Sequence, residues 1–175
     1  DVLVIYVMSS GSGFKSTANF TDATDELTKA ISGFDGGTNR SVLTFESTFR
    51  PAYAIAFLPG DGVKGTAVVV RMAENSPFLV KSRPSYTNND SRSAANYAMQ
   101  VKLKDIGIDL GQSVAFRFMA TYISGTGYRS DEAIGDPMTD FASGWNPYTS
   151  STKPLVYNET LPVVFGNFTG SFAGK

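Results

Sequence analysis

The run from Val114 to Ile123, VAFRFMATYI, is apolar or aromatic at nearly every position. A run of that length without polar alternation suits a strand covered on both faces. Upstream, Tyr97, Met99, Val101 and Leu103 alternate with Gln100, Lys102 and Lys104, which predicts a strand with one apolar face. Asp105-Ile106-Gly107 interrupts that pattern, and Gly111 lets the chain turn before Ser113. Downstream, Ser124 to Pro154 is polar and too long for a simple connector, and loops of that size usually carry function. The block from Ala95 to Asp136 therefore predicts a β-sandwich scaffold carrying a functional loop.

The rest of the chain is consistent with that scaffold. Val2–Met8 is an apolar run suited to a central strand, ended by the Ser/Gly segment 9–13. Asp22 is the expected N-cap of the one convincing helix, Ala23 to Ile31, with Asp25 and Glu26 in its first turn and Gly33 as its stop. Further strands are expected at Ser41–Glu46, Ala52–Leu58, Gly65–Met72, Phe78–Lys81 and Leu161–Phe172, punctuated by Pro51, Pro59-Gly60 and Pro77. The segment from Arg83 to Ala94 is polar and reads as a surface loop. The expected class is all-β, an antiparallel β-sandwich of jelly-roll or immunoglobulin-like topology with one short helix near the N-terminus and long loops.

Composition limits the chemistry. At 175 residues the chain has the size of a single domain, spanning residues 1–175, and its 42% hydrophobic and 18% charged content is that of a folded protein. The formal net charge is −1 with 15 scattered basic residues, which argues against a grip on nucleic acid. No apolar run is long enough for a membrane-spanning helix. Cysteine and histidine are both absent, so disulfides, thiolate metal sites, cysteine nucleophiles and the Ser-His-Asp triad are excluded. Asp1 stands directly before the first strand, which suggests a portion of a longer secreted polypeptide.

The opening DVLVIYVMSSGSGF, the ISGFDGGTNRSVLTF turn, FRPAYAIAF and the VKLKDIGIDLGQSVAFRFMATYISGTGYRSDEAIGD block resemble the carbohydrate-binding-module-9-like, or DOMON-like, β-sandwich domains of secreted bacterial proteins. A closing PVVFGNF fits the same pattern. The resemblance implies a non-catalytic module, extracellular or at the cell surface, that binds polysaccharide or surface glycan and tethers a larger protein. The haem-binding branch of that family ligates iron through Met and His, and this chain has no His.

Candidate site residues cluster in the long polar loop. Tyr128, Trp145 and Tyr148 are flat aromatics able to stack on a sugar ring, and Arg129 could hydrogen-bond hydroxyls at the rim. The competing reading is that Trp145 and Tyr148 pin the loop to the sandwich. Asp131, Glu132 and Asp136 supply hard oxygens for a calcium ion, as do Asp140 and Asn88-Asn89-Asp90, but neither set has an EF-hand spacing. The alternative for them is a set of solvated carboxylates. A glycosidase would need two acids about 5–10 Å apart across a cleft, and nothing in the spacing selects such a pair. Asn19, Asn39, Asn89, Asn158 and Asn167 open N-x-S/T sequons, which a Ser/Thr-rich surface also produces by chance. The second functional reading is structural: a subunit of an extracellular filament, surface layer or adhesive array, assembling by strand addition at an open sheet edge, with Leu161–Phe172 as the donated strand.

Overall fold

A computed structural model describes residues 1–9, 13–45, 48–60, 65–72, 80–82, 99–108, 113–134, 144 and 161–164. Seven strands are assigned: β1 (Val2–Met8), β2 (Tyr53–Leu58), β3 (Thr66–Arg71), β4 (Val80–Ser82), β5 (Ser113–Ile123), β6 (Arg129–Ile134) and β7 (Leu161–Val164). They form one antiparallel sheet in the order β4-β3-β2-β1-β5-β6, with β7 also pairing with β5. Among the described residues one short α-helix, α1 (Glu26–Ser32), accompanies them.

The expectation of a central first strand is met. Ile5 pairs with Ile55 of β2 on one side and with Ala120 of β5 on the other. With both edges paired, β1 offers no free edge to a strand from another chain. Leu161–Val164, the start of the segment read as a donated strand, pairs with Ser113–Phe116 of its own chain.

Alternation along the strands sends two sets of side chains to opposite faces. On the first face Val2, Val4 and Tyr6 join Ala54, Ala56, Val68, Val70, Met119 and Ile123 in one core. That core is closed by Ala30 and Ile31 of α1 and by Phe14, Phe20, Phe45 and Phe49 from the loops. The rings pack edge to face, with Phe45 5.3 Å from Tyr6, 5.1 Å from Phe14 and 5.6 Å from Phe49 between centroids. Each such pair adds about 0.5–1.5 kcal/mol beyond the area it buries. On the second face Val7, Ile55 and Val69 meet Ile106 and Ile108, with Met99, Val101 and Leu103 packed alongside.

Several expected elements take a different form. Residues 99–102 are not a strand, and Leu103–Ile106 is a 3-10 turn capped by Gly107 at φ 74°. The alternation of Met99, Val101 and Leu103 marked the buried side correctly, but these residues pack on the sheet without joining its ladder. Of the expected strand Ser41–Glu46, residues 41–45 are described and form no continuous strand. Isolated bridges join Ser16 to Thr44 and Phe34 to Arg40, while Leu43 and Phe45 are buried. The expected long loop after Ser124 begins instead as a tight turn followed by β6. The polar sequence Ser130-Asp131-Glu132 hid that strand.

The helix starts at Glu26, capped by Asp25 rather than Asp22. The Thr28 backbone N–H donates to Asp25 Oδ1 at 2.8 Å, and the Asp25 N–H donates to Thr28 Oγ1 at 3.0 Å. This reciprocal box, with Thr in the place usual for Glu, satisfies two backbone donors at once. Asp22 accepts instead from Thr24, and its carbonyl accepts the Ser32 hydroxyl at 2.9 Å. Gly33 ends the helix as expected. Its φ is 62°, its N–H donates to Ala30, and a Cβ there would sit 2.1 Å from the Ser41 carbonyl oxygen.

Tyr6 fastens α1 to the sheet. Its ring is fully buried, and its hydroxyl donates to the Ile31 carbonyl at 2.8 Å. Burial pushes the phenol far above the ordinary tyrosine range, and the nearby Arg129 charge offsets only part of that rise. The folded protein thus keeps Tyr6 protonated where the unfolded chain, with a pKa of about 10, ionises it. Stability from this group is present below pH ~10 and falls as pH rises above it. At pH 7, Tyr6→Phe should lose about 1 kcal/mol for the missing hydrogen bond. Above pH 10 the wild type should lose about 1.4 kcal/mol per pH unit relative to that variant, so the gap closes or inverts by pH 11. Urea unfolding of both proteins at the two pH values checks this; an unchanged gap would mean Tyr6 titrates normally in the fold.

Candidate functional site

The turn between β5 and β6, Ser124-Gly125-Thr126-Gly127-Tyr128, is organised by its first residue. The Ser124 N–H donates to the Tyr128 carbonyl at 2.8 Å, and the Gly127 N–H donates to Ser124 at 2.9 Å. The Ser124 side-chain oxygen also accepts from the backbone N–H groups of Thr126 and Tyr128, both at 3.2 Å, and lies 2.7 Å from Thr126 Oγ1. Gly127 takes φ 75°, a left-handed conformation that costs side-chain-bearing residues about 1–2 kcal/mol.

Gly127 is also demanded by the α1 backbone, whereas Gly125 lies against the flexible Glu26 side chain. A Cβ on Gly125 would come within 2.4 Å of Glu26 Cγ, and one on Gly127 within 2.9 Å of the Gly33 carbonyl oxygen. The turn therefore lies along the helix from its first turn to its C-cap. Between the two runs an open groove of about 490 Å³, with Thr24, Glu26 and Lys29 on one side and Ser124, Gly125 and Thr126 on the other. It is shallow and open to solvent, unlike the enclosed apolar pockets of small-molecule sites. Asp25 also borders the groove, but its carboxylate is engaged in the helix cap.

Tyr128 stands on the same turn and is 38% exposed, the one large hydrophobic side chain so exposed among the described residues. Arg129 is only 1% exposed. Its guanidinium is enclosed on the first face of the sheet, near Tyr6, so the reading of Arg129 as a rim donor does not fit its burial. Its backbone pairs in both directions with Gly144, the residue before Trp145 in the sequence.

The set expected to hold calcium is only partly described. Asp131 lies within β6 and Glu132 is exposed on it, while Asp136 falls outside the described residues. Among the described residues no three His, Cys, Asp or Glu side chains converge as metal ligands. Trp145, Tyr148, Asp140 and the Asn88–Asp90 set also lie outside the described residues.

Sequence reasoning missed the groove's other wall. Glu26 and Lys29 read as ordinary residues of an amphipathic helix, and nothing local brings them to Ser124 and Thr126. The available signal was the spacing of Gly125 and Gly127, which marks a tight turn pressed against another element.

Comparison with known protein families, characterised proteins and solved structures finds no match to this chain. No helix among the described residues is long and apolar enough to cross a membrane.

Gly127→Ala should destabilise the fold by about 2 kcal/mol, from the left-handed backbone and the approach to Gly33. Its proteolysis should begin within the β5–β6 turn. Limited digestion with mapping of the first cut checks this, and an unchanged digestion pattern would argue that the turn is not locked to α1.

Proposed function

We propose that this domain is a non-catalytic extracellular or cell-surface module that binds polysaccharide and tethers a larger protein to it. In this reading the sheet is one layer of an antiparallel β-sandwich of jelly-roll or immunoglobulin-like topology. The ligand lies along the groove between α1 and the β5–β6 turn, with Tyr128 as its stacking platform.

The observation that carries the proposal is the exposure of Tyr128 on a turn fixed by five residues of hydrogen bonding and close packing against α1. A partly exposed aromatic ring on a rigid support suits the apolar face of a pyranose, and a support that is already ordered lowers the cost of binding. The groove along the same turn offers the Glu26 carboxylate and the Lys29 ammonium as partners for sugar hydroxyls. Trp145 and Tyr148, the other aromatics of the same polar segment, extend the platform in this reading.

Tyr128→Ala should weaken retention on its glycan by at least tenfold, about 1.4 kcal/mol, while the protein still folds. Trp145→Ala combined with Tyr148→Ala should weaken it further. Affinity electrophoresis through a panel of soluble polysaccharides supplies the measurement. Retention that survives all three substitutions would sink the assignment.

A further inference from the structure

The groove between α1 and the β5–β6 turn is not neutral. Asp25, Glu26 and Lys29 border it. The Asp25 carboxylate is taken by the helix cap, accepting from the Thr28 backbone N–H and hydroxyl, both at 2.8 Å, but its negative charge remains. Lys29 shares its influence with a carboxylate beyond the groove. Asp35 is held below the ordinary carboxyl range by the Gly37 N–H first and then by Asn39, and the Lys29 charge adds to both. Two carboxylates and one shared ammonium leave the described part of the groove with a negative surplus.

Glu26 is the carboxylate that a ligand can reach. It is exposed, and among the described residues its carboxylate has no hydrogen-bond or ion-pair partner. Its stem crosses the turn where Gly125 leaves room: a Cβ on Gly125 would lie 2.4 Å from Glu26 Cγ and 3.2 Å from Oε1. The same turn carries Tyr128. The Ser124 N–H donates to the Tyr128 carbonyl at 2.8 Å, so the hairpin sets the Tyr128 backbone across from Ser124, which lines the groove. An exposed phenol ring and a carboxylate open to solvent thus meet on one short turn. Both attract the same kind of group, since the face of the ring draws cations and the carboxylate pairs with them.

We infer that the groove selects a glycan whose sugars carry a protonated amine, a polymer of the hexosamine class, with Glu26 pairing the ammonium and Tyr128 receiving the same unit or its neighbour. This preference presupposes that the groove binds polysaccharide, and it narrows the class of sugar. Lys29 acts in the opposite sense, and its repulsion limits the preference. An exposed ion pair and an exposed cation–π contact each add only a few-fold in affinity, so the expected result is selection among sugars rather than tight binding.

Isothermal titration of the whole chain with glucosamine, N-acetylglucosamine and glucose oligosaccharides of one length and linkage tests this, because the three differ only in the group on a single ring carbon. At a pH where the amine is protonated, the glucosamine oligomer should bind at least fivefold more tightly than the other two, and added sodium chloride should shrink that margin. Glu26→Gln keeps the size of the side chain and should bring the margin below twofold, while Lys29→Gln should widen it. Tyr128→Ala should weaken all three ligands. Equal binding of the three by the wild type, or a margin that survives Glu26→Gln, would overturn the amine preference and leave the polysaccharide reading standing. Undiminished binding by Tyr128→Ala, or binding of none of the three by the wild type, would remove the groove as the site and the preference with it.

Discussion

Burying the phenol of Tyr6 in the middle of a sheet face obliges the chain to deliver a hydrogen-bond acceptor there, and the last turn of α1 delivers it through the Ile31 carbonyl. The position of the helix follows from that bond together with the edge-to-face rings around it. Carbonyls at a helix C-terminus carry the negative end of its dipole, and Arg129 comes close enough for its charge to act on Tyr6. One side chain of β1 thus joins the sheet, the helix and the start of β6. The placement of the β5–β6 turn, and of Tyr128 on it, depends on this junction.

The binding surface proposed here gains its rigidity from packing rather than from its own sequence. Ser124 supplies the internal hydrogen bonds of the turn, but the close approach of Gly127 to the Gly33 backbone fixes where the turn sits. The helix is itself closed at both ends, by the Asp25–Thr28 box and by Gly33, so neither wall of the groove is free to drift. An exposed ring on such a base presents one orientation to a ligand, and little further ordering is needed on binding.

Much of the sheet was legible in the sequence because burial on both faces leaves an unbroken apolar run, as in β1, β2, β3 and β5. What local pattern could not supply was pairing. Met99, Val101 and Leu103 have strand-like alternation and bury the expected side, yet they end in a 3-10 turn because Gly107 adopts φ 74° against the Tyr53 ring. β6 was hidden for the opposite reason. Its polar residues carry little hydrophobic signal, and the strand is defined by its ladder to β5. Arg129 shows the limit most clearly at the site. A lone arginine in a polar segment reads as exposed, and only the register that sets it opposite Ile123 reveals that it is enclosed.

The central place of β1 also bears on how the chain reaches this structure. Ile5 finds its neighbours at Ile55 and Ala120, so the strand buried on both faces is synthesised well before either partner. Contacts that distant in sequence require large loops to close before they reward the chain, which slows folding. Until β5 emerges, the apolar residues from Val2 to Met8 have at most one edge covered. During that interval the nascent chain is most open to intermolecular pairing, and a chaperone that shields its first strand would gain the most.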